Sequence, residues 1–315
     1  MIPRILVLND TSEKRTRNLA ASFRRRGAVA INMPLAALAF DTTSKSGIAI
    51  PGFHGALPDA VLVRSISAGS FEAITRRLGI LHALGKLGVP VWNSAVAIER
   101  CVDKSMTTFL LANAGLPTPR TFAVEGMEAA REIAARELPA TPLVLKPLFG
   151  AQGRGIRLVR TLDDLPADDD VDGVYYLQHY VRRAGPPFRD YRIFVCAGKM
   201  VAMMSRRGDD WITNVNRGAV PEKISGADEE KIAVLAIAAA AAVGADFAGV
   251  DIVPAADGSL LVLEVNSMPA WSGLQSVASV NVAGAIAEAL LAFLAYRRAA
   301  AAPARPYRFT APANS

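Results

Sequence analysis

Short apolar runs alternate with amphipathic segments over the first third of the chain. The runs 5–8, 28–33 and 60–63 are almost continuously apolar and predict buried strands, and the amphipathic segments between them predict helices. Strands that alternate with helices are typical of a parallel, doubly wound α/β sheet. We therefore predict an α/β lobe over residues 1–98.

The pattern changes after this lobe. A helix is predicted from about 102 to 114, and the glycine-rich stretch 150–155 lies between the strand-like runs 143–146 and 156–159. Two strands joined by a glycine-rich loop form a lid. We assign this small subdomain to residues 99–175.

The third section alternates strands and helices again. It carries strand-like runs at 175–181, 190–197 and 199–205, a helix at 228–243, a hairpin at 249–265 and a last helix at about 282–298. We predict one subdomain over 176–298. The tail 299–315 is rich in alanine and proline without periodicity, and is predicted to be disordered.

The composition bears on partners and compartment. The 315 residues carry a formal charge of +6, which fits a nucleic-acid partner or a protein that handles phosphates and acidic substrates. We favour the second interpretation, because the basic residues are scattered among glycines and carboxylates. Cys101 and Cys196 are far apart and signal neither a disulfide nor a zinc site. With no signal-peptide or membrane-spanning pattern, the expectation is a cytoplasmic protein without a membrane partner.

The hairpin at 249–265 has the strongest local signal. Asp251, Glu264 and Asn266 interrupt two apolar strands, and the spacing of two puts Glu264 and Asn266 on one face. If residues 254 and 259 pair, Asp251 lies opposite Val262 and shares that face. Three hard oxygen donors suit Mg²⁺, which also takes water and substrate phosphate as ligands. The alternative is a set of polar residues at the wet end of a sheet.

The glycine-rich loop follows Lys146 at the end of a strand. It is not a Walker loop, since it does not end in Gly-Lys-Ser/Thr or open a helix. Glycines let backbone amides approach phosphate oxygens, and Lys146 adds a positive charge. Such a loop is often only a turn, so this signal alone leaves both interpretations open.

Arginines gather in the segment that precedes the hairpin. Arg192 shares strand parity with Asp190, and a turn at Gly198 would bring Arg206 beside them. Guanidinium groups bind carboxylates and phosphates through two parallel hydrogen bonds, which suits an acidic substrate or an acyl-phosphate. For Arg207 we prefer a surface salt bridge.

The absent motifs narrow the reaction class. The sequence has no Gly-x-Ser-x-Gly, no Cys/His pairing and no His-Glu-x-x-His. Nucleophilic and zinc-dependent hydrolysis are therefore disfavoured. The chemistry is expected to rest on a metal, phosphate-binding cations and positioning.

Taken in order, these motifs resemble the ATP-grasp superfamily, and within it the RimK-type α-L-glutamate ligases similar to the ribosomal protein S6 modification enzyme. The resemblance covers about two thirds of the chain, from 103 to 298. The stretches that carry it are 103–104, 143–155, 176–181, 190–192, 213–218, 249–251 and 263–269.

The resemblance implies an ATP-grasp fold behind an N-terminal α/β lobe, with ATP and Mg²⁺, or Mn²⁺, as cofactors. It places Lys104 and Lys146 on the phosphates, the backbone of His179 and Tyr180 at the adenine, and Asp190 near the ribose or substrate. The full implied set is Arg206, Asn214 and Arg217 for catalysis; Lys104, Lys146, Gln178, His179, Tyr180, Asp190, Arg192 and Thr213 for the nucleotide; and Asp251, Glu264 and Asn266 for magnesium.

Two positions depart from the family's usual pattern. An acidic residue is usual where His179 stands, and Arg-Ser-Asn is usual where Ile212-Thr213-Asn214 stands. The second departure touches substrate contacts. We therefore do not assign a ribosomal protein as the acceptor.

The implied activity is an ATP-dependent carboxylate–amine ligase. ATP phosphorylates a substrate carboxylate, and an amine, such as that of glutamate, attacks the acyl-phosphate to give an amide. The acceptor is left open between a peptide and a small-molecule carboxylate such as a coenzyme, as is a homo-oligomeric state. Two alternatives remain: a phosphotransferase on the same fold, and a non-catalytic nucleotide-binding regulator.

Overall fold

The N-terminal lobe is built on a four-stranded parallel sheet. The computed structural model describes residues 2–10, 14–150, 153–224 and 228–301. The elements of this lobe are β1 (Arg4–Leu8), α1 (Lys14–Arg25), β2 (Val29–Met33), β3 (Ala39–Phe40), β4 (Ile48–Ala49), β5 (Ala60–Val63), α2 (Phe71–Lys86) and β6 (Val91–Trp92). The sheet order is β2-β1-β5-β6, and β3 pairs with β4 outside it. The parallel α/β lobe expected from the sequence is confirmed.

The central strands of this sheet are covered on both faces. All four residues of β5 and the last four of β1 are buried, as expected for parallel strands between layers of helices. This burial explains why both strands are continuous apolar runs rather than alternating ones.

Two consecutive helices lead out of the lobe, α3 (Ala95–Val102) and α4 (Lys104–Asn113). Asp103 ends the first and caps the second, with its carboxylate accepting hydrogen bonds from the backbone N–H of Ser105 at 2.8 Å and of Met106 at 3.1 Å. The expected helix over 102–114 is thus present from Lys104, and α3 before it was not predicted.

The lid subdomain has an antiparallel sheet and a core of its own. Its elements are β7 (Thr121–Glu125), α5 (Met127–Glu137), β8 (Leu143–Lys146), β9 (Arg157–Val159) and β10 (Val174–His179), with the sheet order β7-β10-β8-β9. Leu143, Leu145, Tyr175 and Leu177 are buried with alanines of α5. The boundary predicted between 175 and 176 falls inside β10. Residues 151 and 152 of the glycine-rich loop lie outside the described residues.

The C-terminal subdomain contains a five-stranded antiparallel sheet. Its elements are β11 (Phe188–Cys196), β12 (Lys199–Gly208), β13 (Val220–Glu222), α6 (Glu229–Val243), β14 (Phe247–Pro254) and β15 (Leu260–Asn266), with the sheet order β13-β12-β11-β14-β15. One face packs against α6 through a buried apolar cluster that includes Ile193, Val250 and Ala236.

The last two helices, α7 (Ser272–Val277) and α8 (Val282–Ala301), join this sheet to the N-terminal lobe. A single buried cluster contains Val7 of β1, Phe23 of α1, Phe194 of β11 and Leu290 of α8. Helix α8 continues through residues 299–301, which the sequence assigned to a disordered tail. The rest of that predicted tail, 302–315, lies outside the described residues.

A buried asparagine fixes the N-terminal lobe on the site-bearing hairpin. Asn93 donates to the carbonyl oxygens of Phe247 (2.8 Å) and Ser267 (2.6 Å), and accepts from the N–H groups of Asp246 (2.6 Å) and Phe247 (3.1 Å). Its amide is thus fully used, at the start of β14 and just past the end of β15.

The described helices include none with the length and apolar character needed to cross a membrane. Cys101 and Cys196 are both buried as free thiols.

Candidate active site

A cleft lies between the lid sheet and the five-stranded sheet, and both sheets contribute its walls. Of the fourteen site residues expected from the sequence, eleven line it: Lys104, Lys146, Gln178, His179, Tyr180, Asp190, Arg206, Thr213, Asn214, Asp251 and Glu264. Residues from β8, β10, β11, β12, β14 and β15 thus meet at one place.

The other three expected residues lie beside the cleft. Arg192 stands on β11 and pairs with Asp251 of β14. Arg217 reaches the lid, with Nη1 3.3 Å from the carbonyl oxygen of Gly153. Asn266 donates its Nδ2 to the carbonyl oxygen of Gly249 at 3.4 Å, which leaves Oδ1 as an acceptor.

Four charged side chains form a connected cluster at the floor of the cleft: Asp190, Arg206 and Asp251 are buried, and Arg192, with its side chain 13% exposed, adjoins them. Asp190 and Arg206 are direct partners across β11 and β12, and the guanidinium donates to both carboxylate oxygens, at 2.6 and 2.7 Å. Arg192 likewise donates through Nε and Nη2 to Asp251, the second contact measuring 2.7 Å. A contact of 3.2 Å between Arg206 and Asp251 joins the pairs. The hairpin that the sequence predicts through Gly198 is present, and it brings Arg206 beside Asp190 as expected.

The charges in this cluster shift one another's pKa values. Burial alone would raise the pKa of Asp251, but the charges of Arg192 and Arg206 lower it below its usual value of 3.8. Burial raises the pKa of Asp190 against the attraction of Arg206. The pKa of Arg206 is raised by both aspartates despite its burial. Two cations and two carboxylates balance, so the floor is polar but close to neutral.

The hairpin register differs from the expected one. Residues 254 and 260 pair rather than 254 and 259, and a bulge between Asp251 and Ile252 shifts the register again. As a result, Asp251 lies opposite Glu264, not Val262. The predicted pairing was wrong by one residue at the turn, but the bulge restores the shared face of the two carboxylates.

The donors on this face fit Mg²⁺. The Glu264 carboxylate has no hydrogen bond or ion pair with any residue that the structure describes, and it lines the cleft beside Asp251. In the described ranges, no three His, Cys, Asp or Glu side chains are grouped closely enough to hold a metal alone. The Glu264 carboxylate and Oδ1 of Asn266 match the donors that Mg²⁺ usually takes, with water and substrate phosphate completing its shell. Both oxygens of Asp251 accept hydrogen bonds from guanidinium groups here, so Asp251 would join this donor set only by exchanging one of those bonds.

Two lysines approach the cleft from the lid side. Lys104 donates to the carbonyl oxygens of Leu148 (3.2 Å) and Gly150 (3.0 Å), and so joins α4 to the glycine-rich loop. Lys146 donates to Oε1 of Gln178 at 2.6 Å. Burial lowers the pKa of both ammonium groups, that of Lys146 to about 8. Both are therefore poorly hydrated cations that an anion in the cleft would stabilise.

The glycine-rich loop lies close to the loop after β12. Gly153 has φ of +71°, and a Cβ atom there would lie 3.0 Å from Oδ1 of Asn214 and 3.0 Å from Cγ2 of Ile212. Only glycine combines this left-handed backbone with so close an approach. The lid is thus in contact with a predicted catalytic residue.

The hinge between the subdomains differs in detail from the expectation. The backbone N–H of His179 donates to the carbonyl of Arg120 (2.8 Å), and that of Tyr180 donates to the carbonyl of Pro142 (2.9 Å). Neither N–H group is therefore available to a ligand. Val181 also lines the cleft, and within the described chain its N–H has no acceptor. The role of Val181 was not predicted, because a strand pattern does not show which backbone N–H lies beyond the last hydrogen bond of the strand.

Three further cleft residues were missed. Trp211 packs edge-on against Tyr180 with ring centroids 5.6 Å apart, and its carbonyl accepts a hydrogen bond from Arg183. Arg154 lines the lid side. Among the described residues that line the cleft, five Lys and Arg side chains stand against three carboxylates, an excess that suits a polyanionic ligand. Arg154 lies inside the glycine-rich stretch 150–155, but the sequence pattern did not show that its side chain faces the cleft.

Comparison with known proteins agrees with this geometry. Residues 101–290 match the family model of the RimK-like ATP-grasp domain. The tetrahydromethanopterin:alpha-L-glutamate ligase of Methanococcus maripaludis is 38% identical over 201 residues, which are 62% of this chain and 67% of that protein. The Methanosarcina acetivorans protein of the same name is 34% identical over 265 residues, 74% of this chain and 79% of that protein. A probable alpha-L-glutamate ligase of Legionella pneumophila is 29% identical over 233 residues, 69% of this chain and 75% of that protein.

Solved structures show the same fold. The ATP-grasp ligase PsnB, complexed with a minimal precursor, superposes with a TM-score of 0.70 and 23% identity over 92% of this chain and 99% of that one. A RimK domain ATP-grasp protein from Sphaerobacter thermophilus gives a TM-score of 0.68 and 23% identity over 90% of this chain and 98% of that one. The predicted ATP-grasp fold is confirmed. With its family model spanning 101–290 and a 34% identical relative covering 74% of the chain, this protein belongs to the RimK-like ATP-grasp family.

Proposed function

We propose that this protein is an ATP- and Mg²⁺-dependent carboxylate–amine ligase that joins L-glutamate to an acceptor through an acyl-phosphate. The observation that carries the proposal is the convergence, in one cleft, of lysine and arginine side chains with a face of oxygen donors. The names of the similar curated proteins, alpha-L-glutamate ligases, supply the amine.

The nucleotide lies along the cleft in this proposal. Lys104 and Lys146 bind the phosphates, which is supported by their partial burial and by their position at the cleft beside the glycine-rich loop. Val181 donates its N–H to the adenine, and the hinge carbonyls accept from it. Tyr180 and Trp211 provide the apolar wall at that end.

Asp251, Glu264 and Asn266 would hold the metal ion. The bound Mg²⁺ would supply charge neutralisation on the transferring phosphoryl group. Mn²⁺ accepts the same oxygen donors and is expected to replace it. The relative PsnB has been seen with Mg and ADP, which supports a magnesium–nucleotide complex in this cleft.

The chemical work of the remaining residues is charge stabilisation. Arg206, Asn214 and Arg217 face the transferring phosphoryl group, which passes from ATP to a carboxylate oxygen of the acceptor and leaves ADP. The glutamate amine then attacks the acyl carbon, and the amide forms as phosphate leaves. Arginine suits this role because its fork of donors matches both carboxylate and phosphate oxygens.

The acceptor is a carboxylate on a coenzyme or on a peptide. The methanogen relatives are named for tetrahydromethanopterin, and PsnB was captured with precursor peptides. Thr213 and Asn214 lie at the cleft and are positioned to contact this substrate.

The test is an assay of ADP release with a panel of acceptor carboxylates, with and without L-glutamate. The ligase requires both substrates and gives a product heavier by one glutamyl residue. Glu264→Gln is expected to abolish turnover and to leave the thermal unfolding midpoint within a few degrees of wild type. Wild-type-like turnover in this variant would remove the metal face from the proposal.

A phosphotransferase would behave differently in the same assay. It would release ADP without an amine and give a stable phosphorylated product. The ligase names of the similar proteins favour amide formation over this alternative and over a non-catalytic regulator.

A further inference from the structure

A buried carboxylate lies behind the hinge, outside the cleft. Glu137 is the last residue of α5, and only 4% of its surface is exposed. Its carboxylate accepts hydrogen bonds from Nε of Arg136 at 2.7 Å and from Nε2 of His179 at 3.0 Å, and lies 3.2 Å from Nη2 of Arg120. It therefore connects α5, the start of β7 and the end of β10.

This carboxylate is badly placed for helix stability. The C-terminal end of a helix carries a partial negative charge, so an anion there is repelled, and burial adds a desolvation penalty. The charges and hydrogen bonds of Arg136, His179 and Arg120 offset these terms and lower the pKa of Glu137, with the Arg136 hydrogen bond as the largest cause. An alanine or leucine at this position would stabilise the helix more, so the role of the Glu137 charge lies in its contacts with Arg136, His179 and Arg120.

Those contacts hold His179 from two sides. The backbone N–H of His179 is bonded to the carbonyl of Arg120, and the imidazole is bonded to Glu137 and lies 6.2 Å, centroid to centroid, from the ring of Phe122. The next two residues, Tyr180 and Val181, line the cleft where the base is proposed to bind. His179 thus helps to fix the direction of their backbone groups, together with the hydrogen bond from the Tyr180 N–H to the carbonyl of Pro142.

We propose that Glu137 is a positioning residue for the nucleotide, acting through His179 on the backbone of the hinge. The proposal rests on the ATP binding proposed above and does not depend on the acceptor or the amine. A histidine suits position 179 because an acidic residue there would place a second negative charge against the buried Glu137 carboxylate.

The experiment measures ADP binding by calorimetry, together with KM for ATP and kcat. Glu137→Ala and His179→Glu are each expected to weaken ADP binding about tenfold, the range set by loss of a charged hydrogen bond, and Glu137→Ala is expected to keep kcat at saturating ATP within about twofold. His179→Gln keeps a donor toward Glu137 and is expected to stay within about threefold of wild type.

The decisive comparison is between His179→Glu alone and the double variant Glu137→Gln/His179→Glu. Glu137→Gln removes the repulsion, so the Glu137→Gln/His179→Glu protein is expected to bind ADP better than His179→Glu alone, by about threefold or more. Glu132→Gln is the matched control, because it removes an exposed charge from the same helix, and it is expected to leave ADP binding unchanged.

Three outcomes overturn the inference. Unchanged ADP binding in both single variants excludes a positioning role, and equal binding by His179→Glu in the two backgrounds excludes the coupling. A loss of kcat with KM for ATP unchanged moves the role away from the nucleotide. If Glu137→Ala does not fold, the comparison of His179→Glu in the two backgrounds decides the question. Failure of wild-type protein to bind ADP would instead count against the proposed function itself.

Discussion

Replacing one buried arginine tests the four-charge floor of the cleft. In Arg206→Leu, Asp190 loses both hydrogen bonds of its guanidinium partner while remaining buried, and Asp251 keeps only Arg192. The side chains of Arg206 and Asp190 are 5% and 7% exposed, so solvent cannot replace the lost partner. Removing one member of a buried pair leaves an uncompensated charge and destabilises a protein by about 3–5 kcal/mol.

The neighbouring residue provides the control. Arg207 points to the other face of β12, is 37% exposed and pairs with Glu222 at 2.6 Å, as the sequence suggested for a surface salt bridge. Exposed pairs contribute at most about 1 kcal/mol, so Arg207→Leu is expected to change stability little. Urea unfolding of the two variants and of wild type, followed by circular dichroism, measures the difference.

The stability deficit of Arg206→Leu is expected to depend on pH. Without Arg206, burial raises the pKa of Asp190 further, so lowering the pH from about 7 toward 4.5 protonates the uncompensated carboxylate in the folded protein. The deficit of Arg206→Leu relative to wild type is therefore expected to shrink on acidification. Equal losses for the two arginine variants, or a deficit that does not change with pH, would refute this account of the cluster.

Three other expectations concern single groups. Burial lowers the pKa of Lys146 to about 8 and bound phosphate would raise it, so ADP affinity is expected to fall as the pH rises through 8. Lys146→Arg stays charged, so calorimetry should show a smaller fall, which then comes from Lys104, whose pKa burial also lowers. Burial raises the pKa of Asp246 from 3.8 to about 7. Between pH 3.8 and about 7 the folded protein therefore binds a proton at Asp246 that the unfolded chain does not, so the free energy of unfolding of wild type falls as the pH rises through this range. Asp246→Asn should remove this slope in urea titrations, and a parallel profile would contradict the assignment. Gly153→Ala is expected to lower kcat about tenfold, because the added Cβ atom would meet Asn214. Gly258→Ala is the control: it has the same kind of backbone strain, with φ of +84°, but its Cβ atom would meet no other atom. It should therefore change only the free energy of unfolding, by about 1 kcal/mol.

Strand periodicity explains why much of the site could be anticipated. Asp190 and Arg206 fall on one face of a hairpin whose turn is marked by Gly198, and the structure pairs them directly. The shared face of Asp251 and Glu264 was also anticipated, but from an incorrect register. A one-residue bulge has no signature in the alternation of apolar residues, so the correct face was reached through two offsetting shifts.

Sequence patterns did not predict the contacts between elements that are far apart in the chain. Arg192 meets Asp251 only because β11 and β14, more than fifty residues apart, are neighbours in the sheet. The link between Glu137 and His179 depends in the same way on how α5 packs on β10. Local patterns specify which residues share a face, whereas the partner of that face is decided by packing.

The separation of the buried clusters has a consequence for motion. The N-terminal lobe and the five-stranded sheet share one continuous core through α8, whereas the lid subdomain encloses its own small core around Leu143 and Tyr175. Cooperative opening units follow such boundaries, so amide hydrogen exchange should report the lid as one unit of lower opening free energy than the rest. The lid can then exchange nucleotide without disturbing the buried interface that Asn93 and α8 maintain.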